Sequence, residues 1–142
     1  MEFNEAPTLV PAQTPGQREE NIAALIAALE SGEFQKTRFR LASVRGDEIC
    51  HCAIGAACEV FRQRTGKGQW RWASDGTRSQ MWFDLNGDLT VSKVTLDYYG
   101  LGESTTRRII EVNDWPLLVG MGWAPIIGIL RELLPVQEKN PG

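Results

Sequence analysis

The fold is decided by residues 37–64, TRFRLASVRGDEICHCAIGAACEVFRQR, in which two strand patterns precede a helix pattern. Apolar and arginine side chains alternate over 37–44, with the period of two that is typical of a half-buried strand. Gly46 and Asp47 supply turn residues, so residues 48–51 are predicted to return as a second strand. This part of the chain therefore predicts an antiparallel hairpin.

Helical spacing begins directly after the hairpin. Small residues follow from Ala53, and larger apolar residues recur every three or four positions, which predicts a helix over 53–64. Gly66 supplies the left-handed residue with which helices commonly end. The predicted inward-facing residues are Ile54, Cys58 and Phe61.

Another helix is predicted upstream. Residues 1–13 show no apolar periodicity and are predicted to form a flexible N-terminal arm. Thr14 is suited to cap the helix that follows, with Pro15 in its first turn and Gln17 completing a Thr-x-x-Gln capping box. The apolar stripe of this helix consists of Ile22, Leu25, Ile26 and Leu29.

Further elements are predicted downstream. The segments with strand or helix periodicity are strands at 70–72 and 79–85 and helices at 92–99 and 103–112. Glu103 or Ser104 is predicted to cap the second of these helices, and a final helix follows Trp123. The order predicts one α+β domain over 14–136, with a small antiparallel sheet packed against four or five helices, and a flexible tail over 137–142.

Composition restricts the class of protein. The chain has 142 residues, 42% of them apolar and 23% charged, which is typical of a globular domain. Its acidic start lacks the cationic and apolar regions of a secretory signal, and three closely spaced cysteines fit a reducing compartment, so a cytoplasmic location is predicted. Residues 115–130 are uncharged but broken by proline and glycine, which predicts a buried loop leading into a core helix and no membrane span.

The most reactive side chains lie together at Cys50, His51, Cys52 and Cys58. On a strand, Cys50 and Cys52 share one face and His51 points to the other, which is poor geometry for a zinc site. We therefore predict buried structural thiols, with no metal and no cofactor. A cysteine-dependent enzyme that uses one of these thiols as nucleophile and His51, the only histidine, as base is the alternative.

Charge is distributed unevenly along the chain. Residues 36–78 hold nine cations and four anions, a net charge of +5, whereas the rest holds six cations and fourteen anions, a net charge of -8. Interleaved cations and aromatic rings favour nucleotides and other stacked anions. Overall acidity argues against binding to an extended nucleic acid duplex. The predicted ligand-binding residues are Arg38, Arg40, Arg62, Trp70, Arg71 and Trp72.

Three short motifs carry a family resemblance: the helix start at 52–58 (Cys-Ala-Ile-Gly-Ala-Ala-Cys), Gly100-Leu101, and Asn113-Asp114 before a closing helix. They resemble a group of small bacteriophage and prophage proteins with a Cys-x-Leu-Gly-x-x-Cys-like helix start and a Leu-Asn-Asp motif. Here Ile54 stands in place of the leucine and Val112 precedes the Asn-Asp pair. The resemblance implies a viral accessory protein and carries no activity over to Asn113 or Asp114, which we interpret as a pair that ends one helix and caps another.

These observations give one leading function and two alternatives. The leading hypothesis is an accessory protein in the host cytoplasm that binds a host protein or a small, anionic, nucleotide-like ligand. One alternative is the cysteine-dependent enzyme. The other is a protein-interaction module that uses the apolar surface of residues 115–130. The sequence does not determine the oligomeric state.

Overall fold

The computed structural model describes residues 11–37, 41–45, 48–72, 80–85 and 93–135. The helices are α1 (Pro15–Glu30), α2 (Ala53–Thr65), α3 (Lys93–Tyr99), α4 (Glu103–Asp114) and α5 (Ala124–Glu132), with a 3-10 helix at Pro116–Met121. The strands are β1 (Gln35–Lys36), β2 (Ala42–Arg45), β3 (Glu48–His51), β4 (Gln69–Trp72) and β5 (Gln80–Asp84). The predicted α+β class is confirmed.

The strands form one five-stranded sheet in the order β1-β3-β2-β5-β4. The predicted hairpin is present, since β2 pairs antiparallel with β3. The sheet is mixed, because β1 pairs parallel with β3 through Lys36 opposite His51. A two-residue strand has too little periodicity to be recognised in the sequence, so β1 and its direction were not predicted. The turn at Gly46 and Asp47 lies outside the described residues.

Helices α1 and α2 supply much of the core. The predicted capping box of α1 is confirmed, because the Thr14 hydroxyl accepts from the Gln17 amide and the Gln17 side chain accepts from the Thr14 amide. All four residues of the predicted α1 stripe are buried. From α2, Phe61 lies edge-to-face against Phe83 of β5 and Tyr98 of α3. The core therefore lies between the helices and one face of the sheet.

The start of α2 lies in close contact with the backbone before β2. The Cys52 amide donates to the carbonyl of Leu41 at 3.1 Å, and the Cys52 sulfur caps the helix by accepting from the Gly55 amide at 3.3 Å. A Cβ atom at Gly55 would lie 1.9 Å from the Leu41 carbonyl oxygen. Glycine is therefore required at position 55, because any side chain would push the helix away from the sheet.

Asn113 joins three elements from a fully buried position at the end of α4. Its Oδ1 accepts from the Ala53 amide at 3.0 Å, and its Nδ2 donates to the Thr37 carbonyl at 3.1 Å and to Asp114 at 2.9 Å. The first amide of α2 is one of the groups that the helix itself cannot satisfy. Asn113 thus lies at the end of α4 and satisfies the first amide of α2, whose own N-cap is Cys52.

The segment between α4 and α5 corrects two expectations. Helix α4 starts from Gly102 with no side-chain cap, because Glu103 and Ser104 already lie at the first helical positions. Residues 116–121 form a 3-10 helix at the surface and not a buried loop, with the Leu117 side chain 83% exposed. Trp123 is half-buried, and its indole donates to the Phe34 carbonyl at 3.1 Å. Within the described residues, the helices are too short or too polar to cross a bilayer.

Candidate functional site

The predicted ligand-binding residues do not form one surface. Arg62 and Trp70 both line a cleft between α2, β3 and β4. Arg71 points to the opposite face of β4, because side chains alternate along a strand, and it pairs there with the buried carboxylate of Asp84. Trp72 is exposed on the Trp70 face but does not line the cleft. Arg38 and Arg40 lie outside the described residues.

The cleft has a volume of about 260 Å³. Its walls come from the loop before β1, from the end of β3, from one face of α2 and from the start of β4. We call it the His51 cleft. Its lining residues are Glu33, Phe34, Ile49, His51, Glu59, Arg62, Gln63 and Trp70.

Three aromatic rings meet in the His51 cleft. The centroids of Phe34 and His51 are 5.1 Å apart with their planes at 89°, and those of His51 and Trp70 are 5.3 Å apart at 67°. His51 and Trp70 reach each other although β2 and β5 separate their strands. Ala42, which pairs with His51, carries only a methyl group. The inclined rings present different surfaces to the same cavity.

Glu59 organises the polar side of the cleft. Its carboxylate accepts from Arg62 at 2.9 and 2.7 Å, from the Trp70 indole at 2.8 Å and from Gln63 at 3.1 Å. Burial opposes ionisation of Glu59, but hydrogen bonds from Arg62, Trp70 and Gln63 outweigh it and lower its pKa. Glu59 therefore fixes the Trp70 ring and neutralises Arg62.

His51 is the titratable ring of the cleft and is buried. Burial lowers its pKa, and the nearby Glu59 carboxylate only partly opposes this shift. Its Nδ1 is buried and has no hydrogen-bond partner among the described residues. A buried nitrogen without an acceptor is better left unprotonated. His51 is therefore a neutral imidazole near pH 7.

The three cysteines are all buried and reduced. Burial raises the pKa of Cys52 to about 11 despite the hydrogen bond from the Gly55 amide, and burial raises that of Cys58 further. Nucleophilic cysteines need a lowered pKa and access to solvent. These thiols have the properties of packing residues, and no group of histidine, cysteine or acidic residues in the described part of the chain has the arrangement of a metal site.

The sequence predicted Arg62 and Trp70 as binding residues and offered His51 as a candidate base, but it did not place them together. The helical spacing of Glu59, Arg62 and Gln63 could have indicated a shared face of α2. Contact of this face with His51 and Trp70 depends on how α2 crosses the sheet. No local pattern in the sequence predicts how α2 crosses the sheet.

Comparison of the chain with protein-family models, curated proteins and solved structures finds no match.

Proposed function

We propose that this protein is a binding protein and that the His51 cleft holds a small molecule or a single side chain of a partner. The observation that carries the proposal is the convergence of three aromatic rings and the Glu59–Arg62 pair on one cavity. Ligand sites combine apolar and aromatic walls with a few oriented polar groups, and the cleft has this composition.

The burial of the cysteine thiols and the raised pKa values of Cys52 and Cys58 favour binding over catalysis. A general base must reach the proton that it removes, and a nucleophile must be accessible. The thiols of Cys52 and Cys58 are buried with raised pKa values. Cys50 is also buried and does not line the cleft. The cysteine-dependent enzyme therefore has less support than a binding protein.

A thermal unfolding screen tests the proposal. The purified protein is heated with choline, adenosine or adenosine monophosphate, which are cationic, neutral and anionic probes. A ligand that binds only the folded state raises the unfolding temperature in a concentration-dependent manner. We expect at least one probe to stabilise the native protein and the Trp115→Ala variant, which alters an exposed tryptophan outside the cleft, but not the Trp70→Ala variant.

Two results would overturn the proposal. The first is that no probe stabilises the native protein at any concentration. The second is that the Trp70→Ala and Trp115→Ala variants respond equally, because the ligand would then bind outside the cleft.

A second candidate is a protein-interaction module. Large apolar side chains remain exposed on α4 and the adjoining 3-10 helix, and we call this set the α4 apolar surface. Its members are Ile110, Trp115, Leu117 and Met121. Exposed apolar groups close together in sequence and on contacting elements are typical of protein contacts. This surface and the cleft could serve one binding protein, whose role as a phage accessory protein stays a prediction from its motifs.

A further inference from the structure

We infer that the His51 cleft selects organic cations of the alkylammonium type, such as a methylated ammonium group. This inference rests on the proposed function, because it specifies the ligand class for the same cleft. It departs from the anionic ligand that the charge of residues 36–78 predicts, and the reasons lie in how the charges are paired.

The positive charge near the cleft is already neutralised. Arg62 makes two charge-assisted hydrogen bonds with Glu59, and Arg71 is bound to Asp84 on the other face of β4. The bidentate Arg62–Glu59 pair holds this arginine in place and reduces its attraction for a further anion. An anionic ligand would have to compete with Glu59 for Arg62 inside the cleft.

The remaining charge of the cleft is negative. Its walls carry two carboxylates, Glu33 and Glu59, and one guanidinium, Arg62. Glu33 lies at the exposed rim, where its carboxylate accepts from the Ser31 hydroxyl at 3.3 Å. With His51 neutral, the lining has a net charge of -1, which attracts a cation and repels a phosphate.

The rings add a preference for cations with apolar substituents. The faces of aromatic rings carry negative potential, so a cation above them is stabilised, and several inclined rings around one cavity suit a methylated ammonium group. At the His51 cleft, the Phe34 and His51 rings are inclined at 89° and the His51 and Trp70 rings at 67°. A strongly hydrated metal ion is less suited, because it needs several oxygen ligands and the only carboxylates of the cleft are those of Glu33 and Glu59.

Protonation of His51 would remove one of these surfaces and add a positive charge. The charged groups of the cleft that face it come from the loop before β1 and from α2, namely Glu33, Glu59 and Arg62. Lys36 of β1 pairs with His51 in the sheet, and its ammonium group donates to the Gly122 carbonyl at 3.2 Å. Choline affinity is therefore expected to fall as the pH is lowered through the pKa of His51, which burial lowers from its usual value of about 6.5.

Titration calorimetry with a pair of isosteric probes tests the inference. Choline is compared with dimethylbutanol, in which an uncharged carbon replaces the quaternary nitrogen, and with adenosine monophosphate. We expect choline to bind at least about fivefold more tightly than dimethylbutanol, and Trp70→Ala to weaken choline about five- to thirtyfold. Trp82→Ala, which alters an exposed tryptophan of β5 outside the cleft, is expected to leave choline binding unchanged.

Glu33→Gln provides a variant that leaves the packing of the cleft intact, because Glu33 is exposed. It is expected to weaken choline binding about two- to fivefold and to leave dimethylbutanol binding unchanged. If dimethylbutanol binds as tightly as choline, or if only adenosine monophosphate binds at the cleft, the cation inference is overturned and the proposed binding function stands. If none of these probes or adenosine binds, both are overturned.

Discussion

His51 couples the protonation state of the cleft to the stability of the fold. Burial lowers its pKa in the folded state, whereas the unfolded chain retains a value of about 6.5. Below pH 6.5 the unfolded state therefore binds a proton more readily than the folded state. We expect the free energy of unfolding to be greatest above about pH 6.5 and to fall, by up to about 1.4 kcal/mol per pH unit, as the pH is lowered.

Urea titrations between about pH 7.5 and 5.5 measure this slope, and His51→Phe is expected to flatten it because no other histidine is present. Glu59 contributes in a different range, since its folded pKa is lowered and its stabilisation is lost as the pH falls below about 4.5. A native protein whose stability rises on acidification from pH 7 would contradict the burial of a neutral His51.

The contact between α2 and the backbone at Leu41 is tested by a pair of glycine variants. Gly55→Ala would place a methyl group 1.9 Å from the Leu41 carbonyl oxygen, whereas Gly128 in α5 has no heavy atom within 4 Å of the equivalent position. We expect Gly55→Ala to destabilise the protein by more than about 3 kcal/mol, and Gly128→Ala to stabilise it by about 0.5–1 kcal/mol. Thermal unfolding measures both, and equal effects would show that α2 does not lie this close to the sheet.

Asn113 links α4 to the start of α2 and to Thr37, the residue that follows β1. Asn113→Ala would leave the Ala53 amide and the Thr37 carbonyl without their buried partner. We expect a loss of about 2–4 kcal/mol of unfolding free energy. Glu111→Ala, an exposed change on the same helix, is expected to have an effect within about 0.5 kcal/mol. Denaturant unfolding measures the free energy of unfolding of both variants. A negligible loss for Asn113→Ala would contradict the proposed role of the Asn113 hydrogen bonds.

Most of the helices and strands were predicted from the sequence. Alternation and capping residues gave α1, the β2–β3 pair and α2, because these signals are local. Two features could not be obtained in this way. The parallel pairing of β1 depends on a contact between segments that are distant in sequence, and the exposure of the 3-10 helix depends on what packs against it.

The α4 apolar surface bears on whether the whole molecule associates with other copies of itself. If it binds another copy of the chain, Leu117→Glu should abolish self-association, because it places a charge on the most exposed member of the surface. Light scattering after size-exclusion chromatography measures the mass of the native protein and the variant, with Val94→Glu as a control at an exposed residue of α3. A native protein that remains monomeric at all concentrations would exclude a homodimer through this surface.

The candidate site was only partly predictable at the scale of the molecule. Arg62 and Trp70 were identified through the uneven charge and the aromatic residues, and they do line the His51 cleft. The charge count could not show that Arg62 is paired with Glu59 and Arg71 with Asp84, because pairing depends on tertiary contacts. A net charge along the sequence therefore predicted a more positive surface than the described residues provide.

The central claim, that the His51 cleft is a binding site, is tested most directly by the indole N–H resonances of the tryptophans in a nitrogen-15 correlation spectrum during titration with choline. Trp70 donates its indole N–H to Glu59 inside the cleft, whereas Trp115 lies outside it. The account predicts a saturable shift of the Trp70 resonance and no shift of the Trp115 resonance. A shift confined to Trp115, or a Trp70 resonance unmoved by choline, adenosine and adenosine monophosphate alike, would contradict it.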